Sequence, residues 1–362
     1  MLSLRQAGSA LIARGPAVLT TPYLTTNGIF TGDADRHVVN LDKVTLKERW
    51  RTKTKLQVRG GFGDLVLLAY YDEMEAWTPD GKAIWKRKTS QNYCRSGAKM
   101  YFLEARLEVV DVMTGRLQEA MECPLGAPDL IIGDVLLVTD PLHTDPVRAF
   151  SLRERRVIWE RALVQELREI EGVDQPGFAL ALAASGENRC IAARGGHLLG
   201  MSIEDGSWLW KTPVHVPYFG VQLRDDRIYV WTTTLASTST RVTLDIGSGQ
   251  VMRERSEPTT ADNHFVIVDD ATGEVVLDRQ LGPFGEAFRR FQEVQRGTLC
   301  KNHIVFTTQS GLMAVFRLSD GELVWQRQHR DQLFYPVFED NRLYVACADG
   351  TLVVFEAEGG EL

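Results

Sequence analysis

The stretch GLMAVFRLSDGELVWQRQ, residues 311–328, constrains the fold most, because its pattern recurs, eroded but in order, along most of the chain. Leu312, Ala314, Phe316 and Leu318 alternate with neighbours that can face the other way, as a strand packed between layers requires. Asp320 and Gly321 supply a tight turn, since glycine accepts the positive φ of hairpin turns, and Leu323 and Trp325 restart the alternation. The unit is a β-hairpin ending in a large aromatic. Copies stand at 75–88 (EAWTPDGKAIWKRK), 108–120 (EVVDVMTGRLQEA) and 200–212 (GMSIEDGSWLWKT). Fainter ones follow. VVNLDKVTLKERW (38–50) has no turn glycine and VRAFSLRERRVIWER (147–161) has a polar turn, while TLDIGSGQVMRE (243–254) and VIVDDATGEVVLD (266–278) lose the tryptophan. Another short apolar run precedes most copies, as in LVLLAYY (65–71), KMYFLEA (99–105) and HIVFTTQ (303–309), so each repeat holds three or four strands.

The motifs end at Trp50, Trp85, Gln118, Trp159, Trp210, about Asp278, Trp325 and the C-terminus, mostly near the ~40 to 50 residues of a four-stranded propeller blade. The expectation is an all-β chain forming a single β-propeller over residues 1–362. Eight blades follow if 218–281 is one blade with an inserted hairpin, and seven if 147–161 is an irregular connection. The last repeat, RLYVACADGTLVVFEAEGGEL, has two strands and no outer one. Residues 1–17 are the natural closing strand, since open sheet edges need pairing, although their composition alone would also allow an organellar transit peptide.

The consensus of a small residue, Asp or Glu, T-G or D-G, and then Trp resembles the PQQ-like repeat of the quinoprotein dehydrogenase superfamily and of the outer-membrane assembly lipoproteins that share that propeller. The resemblance implies that Trp50, Trp85, Trp159, Trp210 and Trp325 dock blade against blade beside turn glycines Gly81, Gly115, Gly206, Gly273 and Gly321. It also makes an enzymatic proposal that the residues do not support. Family dehydrogenases place PQQ against a vicinal Cys-Cys ring with calcium ligands and an Asp base, and many carry a C-x-x-C-H haem site. Cys94, Cys123, Cys190, Cys300 and Cys347 form none of these patterns. The lipoproteins carry a lipobox cysteine near the start, and the first cysteine here is Cys94. No cofactor is expected.

Other chemistry is scarce. The seven histidines show no metal-ligand spacing. Asp33 and Asp35 in GDADRHVVN are a fragment of a calcium loop without its glycine or distal acid, and read as a solvated turn. There is no P-loop, dinucleotide fingerprint or nucleophile elbow. A net charge of -7, from 41 basic and 48 acidic residues, argues against broad attraction to nucleic acid or acidic membrane. The cysteine pattern suits a reducing, cytoplasmic compartment, and no apolar run approaches the ~18 residues that span a bilayer.

Two candidate interaction surfaces remain. Helical insertions are expected at 160–175 and 282–297. The second aligns Phe284, Phe288 and Phe291, a face that either covers the propeller or meets a partner. In LKERWRTKTK, strand alternation puts Lys47, Arg49, Arg51, Lys53 and Lys55 on one outer face. This is either a guard against edge pairing or a basic surface for an acidic protein. The reading is a cytoplasmic, bacterial, non-catalytic propeller that binds one or more proteins within an assembly. A quinoprotein-like dehydrogenase or lyase is the alternative, with nucleic-acid binding behind it.

Overall fold

The computed structural model describes residues 3–12, 22–33, 35–89, 93–124, 126–139, 146–162, 165–166, 181–186, 188–194, 197–214, 221–244, 251–281, 297–307, 311–334, 336–358 and 362. Its strands form eight four-stranded antiparallel sheets. Blades I to VII each take four consecutive strands, within residues 23–53, 57–88, 93–121, 127–161, 181–212, 221–281 and 298–328. Blade VIII takes three strands from 337–358, and Ser3–Leu11 pairs with Thr351–Glu358 as its outer strand. First strands of adjacent blades touch, for example Tyr23–Leu24 and Val337–Glu339, so they ring the axis. The eight-bladed propeller expected from the repeats is the fold, and the seven-bladed alternative is set aside because 147–161 supplies two strands of blade IV. Of the expected helical insertions, the first does not begin at 160, because Glu160 and Arg161 end the strand Arg156–Arg161; a helical turn at Gln165 and Glu166 lies among the described residues, while 163–164, 167–175 and 282–296 lie outside them.

The core is a ring of apolar layers between neighbouring blades. One layer joins Ile132, Leu137, Val147 and Trp159 of blade IV to Cys190, Ala192, Leu199 and Met201 of blade V. The equivalent layer of blades II and III joins Leu67, Met74 and Trp85 to Met100, Phe102 and Val110. Each blade is therefore stable only against its neighbours, as in other repeat architectures.

The third and outer strands share one irregularity that places the docking side chains. In blade I, Asn40 faces Trp50 but Leu41 faces Glu48, so Arg49 is an extra residue, a β-bulge. The bulge recurs at Ile84, Gln118, Ile158, Leu209, Val276 and Val324, and at Ala7 in blade VIII. It turns Ile84, Leu209 and Val276 outward, 45%, 49% and 54% exposed. The residue after the bulge then faces the next blade. This register puts Glu119 and Leu277, rather than Gln118 and Asp278, in the docking position of blades III and VI.

In several blades the turn before the outer strand is held by an aspartate, while Thr78 and Ser151 take that place in blades II and IV. The Asp111 carboxylate accepts from the Thr114 backbone N–H and hydroxyl, both at 2.8 Å, and Asp42 and Asp269 repeat this with Thr45 and Thr272. Such side-chain turns favour Asp or Asn, whose carboxylate or amide oxygen reaches the N–H groups that follow it. Gly115 follows at φ 67°, and a Cβ there would lie 2.4 Å from Trp85 Cγ. Glycine is required both by its backbone and by the ring above it.

Blade VI departs from the pattern. Its second and third strands, Arg227–Leu244 (18 residues) and Val251–Asp269 (19 residues), pair from Arg227↔Asp269 to Leu244↔Val251. Their blade neighbours reach only Val230 on one side and Asn263 on the other. Beyond that, the two strands continue as a ribbon that, among the described residues, pairs only with itself.

Candidate functional site

Four seams are closed by an indole. Trp50 Nε1 donates to the Pro79 carbonyl at 2.7 Å, Trp85 to Val112 at 2.8 Å, Trp159 to Ile203 at 2.7 Å and Trp210 to Asp270 at 2.9 Å. Each acceptor lies in the turn of the next blade, beside Gly81, Gly115, Gly206 or Gly273, so the ring packs on glycine while its polar edge is satisfied. Trp325 differs: it is partly exposed and meets Phe355 of blade VIII edge-on, with centroids 6.1 Å apart. Gly321 packs not against a tryptophan but against Phe265 and Leu277 of blade VI.

Two seams exchange the pair of residues that fills them. Between blades III and IV, Glu119 stands in the docking position and Arg155, at φ 57°, in the glycine position, and the two form an ion pair. Between blades VIII and I, Gly8 stands in the docking position and Leu46, also at φ 57°, in the turn. Leu46 Cδ1 lies 2.8 Å from where a Gly8 Cβ would sit, so bulk has moved from strand to turn. This seam is also tied by Lys43, buried between Glu339 at 2.8 Å and Asp340 at 3.0 Å.

The basic band is not a free positive face. The bulge at Arg49 breaks the alternation that would align it with Arg51 and Lys53, Lys47 precedes the strand Glu48–Lys53, and Lys55 follows it. Arg49 pairs with Asp42 at 2.6 Å and Lys55 with Glu73 at 2.6 Å. Arg51 bridges Asp33 at 2.9 Å and Glu48 at 2.8 Å and donates to the Ile12 carbonyl at 2.5 Å. Lys86 pairs with Glu73 and Glu75, and Arg87 with Glu108. Arg51 is a tether between the segment after the closing strand and blade I. Phe284, Phe288 and Phe291 lie outside the described residues.

Asp33, Asp35 and His37 bring three potential ligand atoms within 4.8 Å of one another. Asp33 is not solvated as the turn reading expects. Its side chain is 1% exposed, accepts from the His37 backbone N–H at 2.8 Å and faces His37 Nδ1 at 3.1 Å. The Arg51 guanidinium already supplies its cation. All five cysteines are free. Burial pushes the thiols of Cys94, Cys123, Cys300 and Cys347 up to about 12, and that of Cys190 up as well, which makes poor nucleophiles.

A family model described as outer membrane protein assembly factor BamB matches residues 143–328 and 261–362, well over half of the chain. The chain belongs to this family of PQQ-like propellers. A BamB-family relative from Nitrosomonas eutropha, itself named outer membrane protein assembly factor BamB, is 32% identical over 81 residues, 21% of this chain and 20% of that protein. The aligned part thus spans about a fifth of the relative. Sqt1 of Saccharomyces cerevisiae superposes with TM-score 0.66 at 9% identity, covering 99% of this chain and 100% of that one. The quinohemoprotein alcohol dehydrogenase of Comamonas testosteroni gives TM-score 0.59 at 12% identity, covering 99% and 77%. At these identities the two structures share the propeller fold with this BamB-family chain, and nothing finer.

Sequence reading missed the exchanged seams and the acids that neutralise the basic band. Leu46 and Arg155 were findable by aligning the turns, because each stands four residues after the residue whose carbonyl its N–H meets, as Gly115 does after Asp111.

Proposed function

We propose that the protein is a non-catalytic interaction platform that binds protein partners within a multiprotein assembly, of the kind named by the assembly factors of its family. The observation that carries this reading is the ribbon of blade VI. A propeller needs four strands per blade, and here two of them run on for a further distance on the order of 35 Å at ~3.3 Å per residue. Along that length each strand pairs, among the described residues, with one neighbour only. Its outer edges present backbone N–H and C=O groups, which suit pairing with an added strand of another protein. The five free thiols support the cytoplasmic address inferred from the sequence, and cell fractionation tests it, with recovery in the envelope overturning it. Among the described residues no helix is long and apolar enough to cross a membrane.

The test replaces residues 234–261 by an Asn-Gly hairpin turn. The shortened protein is expected to melt as the full chain does and to lose a partner that co-purifies stoichiometrically from native lysate. Retention of that partner overturns the ribbon's role, and a bound chromophore in the purified protein favours the quinoprotein-like alternative.

A further inference from the structure

We propose that the seam between blades VIII and I is a recognition site for a tryptophan side chain presented by a partner protein. The inference concerns a surface separate from the ribbon, and rests on the protein-binding reading only for the source of the indole. The fold itself defines what the position accepts. At four other seams the residue after the bulge is a tryptophan whose indole N–H reaches a carbonyl in the next blade's turn. At this seam that residue is Gly8, which has no side chain to offer.

Leu46 reaches across from the turn and covers Gly8, but a leucine is shorter than an indole. A cavity of about 360 Å³ remains, lined by Gly8, Val44, Leu46 and Val354 together with Arg5 and Arg342. It is at the low end of the ~300 to 1,000 Å³ range of small-ligand sites, so it has room for one aromatic side chain and not for a large cofactor. The electrostatics agree with that occupant. Arg5 and Arg342 flank Glu356, with Arg342 at 2.6 Å and Arg5 at 3.5 Å. The Arg5 side chain is 63% exposed, leaving a guanidinium for a π face, for which indole is the strongest partner. Val44, 76% exposed, extends the apolar rim at the mouth.

The test is saturation-transfer NMR on the full chain with N-acetyl-tryptophanamide, and with N-acetyl-phenylalaninamide as the probe with the weaker π face. Transfer to the indole ring is expected, with the phenylalanine probe binding about two- to fivefold more weakly, the worth of the stronger indole–guanidinium contact at an exposed site. The double variant Gly8→Trp/Leu46→Gly rebuilds the arrangement of the other seams and should abolish probe binding. Should that variant not fold, Arg5→Ser alters an exposed lining residue and should weaken the tryptophan probe about two- to fivefold. No transfer to the tryptophan probe, equal binding of both probes, or binding unchanged in the folded variants would overturn the proposal. These outcomes are distinguishable from failure of the ribbon reading, which is measured by partner retention and not by the probes.

Discussion

Replacing Trp85 by alanine tests the reasoning about how the ring of blades is held together. The indole is 9% exposed, packs with Leu67, Met74, Met100 and Val110 across the seam, and donates to Val112 at 2.8 Å. Large-to-small aromatic truncations in a core cost about 3 to 5 kcal/mol. The lost hydrogen bond adds about 1 kcal/mol if the Val112 carbonyl stays dry. Relaxation is limited, because Gly115 beneath the ring has no side chain to move in, so the expected loss is about 5 kcal/mol. Trp325→Ala is the internal control. That ring is partly exposed and has no indole hydrogen bond across its seam among the described residues, so about 2 kcal/mol is expected, below the ~3 to 5 kcal/mol of a fully buried aromatic. Urea unfolding followed by far-UV circular dichroism gives both numbers against wild type. Equal losses for the two variants, or a Trp85→Ala midpoint within error of wild type, would refute the claim that burial plus the turn carbonyl sets the strength of a seam.

Deleting residues 3–12 removes a strand that pairs along Thr351–Glu358 and should give aggregation or loss of cooperative melting, measured by light scattering and calorimetry. Glu119→Ala should cost under ~1 kcal/mol, because its ion pair with Arg155 is largely exposed, whereas Glu119→Trp/Arg155→Gly should raise the melting temperature by installing the commoner seam. Hydrogen bonds from the Thr114 hydroxyl and N–H hold Asp111 below its ordinary range, and those from Thr272, with Arg227, do the same for Asp269. The unfolded chain therefore takes up protons first, so this stability is present above about pH 4 and is lost as pH falls below it; Asp111→Asn should flatten the acid limb. Burial, and then the Arg317 charge, lowers the His303 imidazole below its ordinary value. Its neutral form is favoured on folding, so its contribution is complete above about pH 6.5 and declines as pH drops, a step that His303→Gln should remove from a stability-versus-pH series.

The eight-bladed architecture was legible because a blade's signals are local. Alternation, an aspartate turn and an aromatic fall within about fifteen residues, and recurrence multiplies a weak pattern into a strong one. Even the long hairpin of blade VI showed, as two motif-like stretches too close for two blades. The basic face was misread for the opposite reason. Its counter-ions come from elsewhere in the chain, Asp33 and Asp42 from the inner strands of blade I and Glu73 from blade II. A single bulge at Arg49 shifts the phase on which the alternation argument rests. Charge reversal at Arg51 is accordingly a poor probe of a binding surface, because it would leave buried Asp33 without its partner and release Ile12.

The seams show why a motif search sees the fold and misses its variation. Each seam is a two-residue problem: one position on an outer strand and one in the facing turn must together fill the gap and leave little polar surface unsatisfied. Trp85 over Gly115 solves it with bulk on the strand, Leu46 over Gly8 with bulk in the turn, and Glu119 with Arg155 by charge. A search for tryptophan and glycine finds the first solution and reads the others as decay, although the bulge and the turn hydrogen bond are the same in all three. The solutions differ in what they leave behind. An indole closes its seam and satisfies the carbonyl opposite; an exposed ion pair closes it weakly and in a salt-dependent way. The leucine closes the apolar part alone and leaves a cavity beside it. That seam also borders the blade in which the outer strand, Ser3–Leu11, is joined to the third strand, Thr351–Glu358, by pairing and not by a covalent turn. Lys43 between Glu339 and Asp340, and Arg51 on the Ile12 carbonyl, supply there the cohesion that the ring supplies elsewhere. The side chains that tie this seam, Lys43 and Arg51, are not among those that line its cavity, so single side chains there can be exchanged while the backbone pairing of the closing strand is kept.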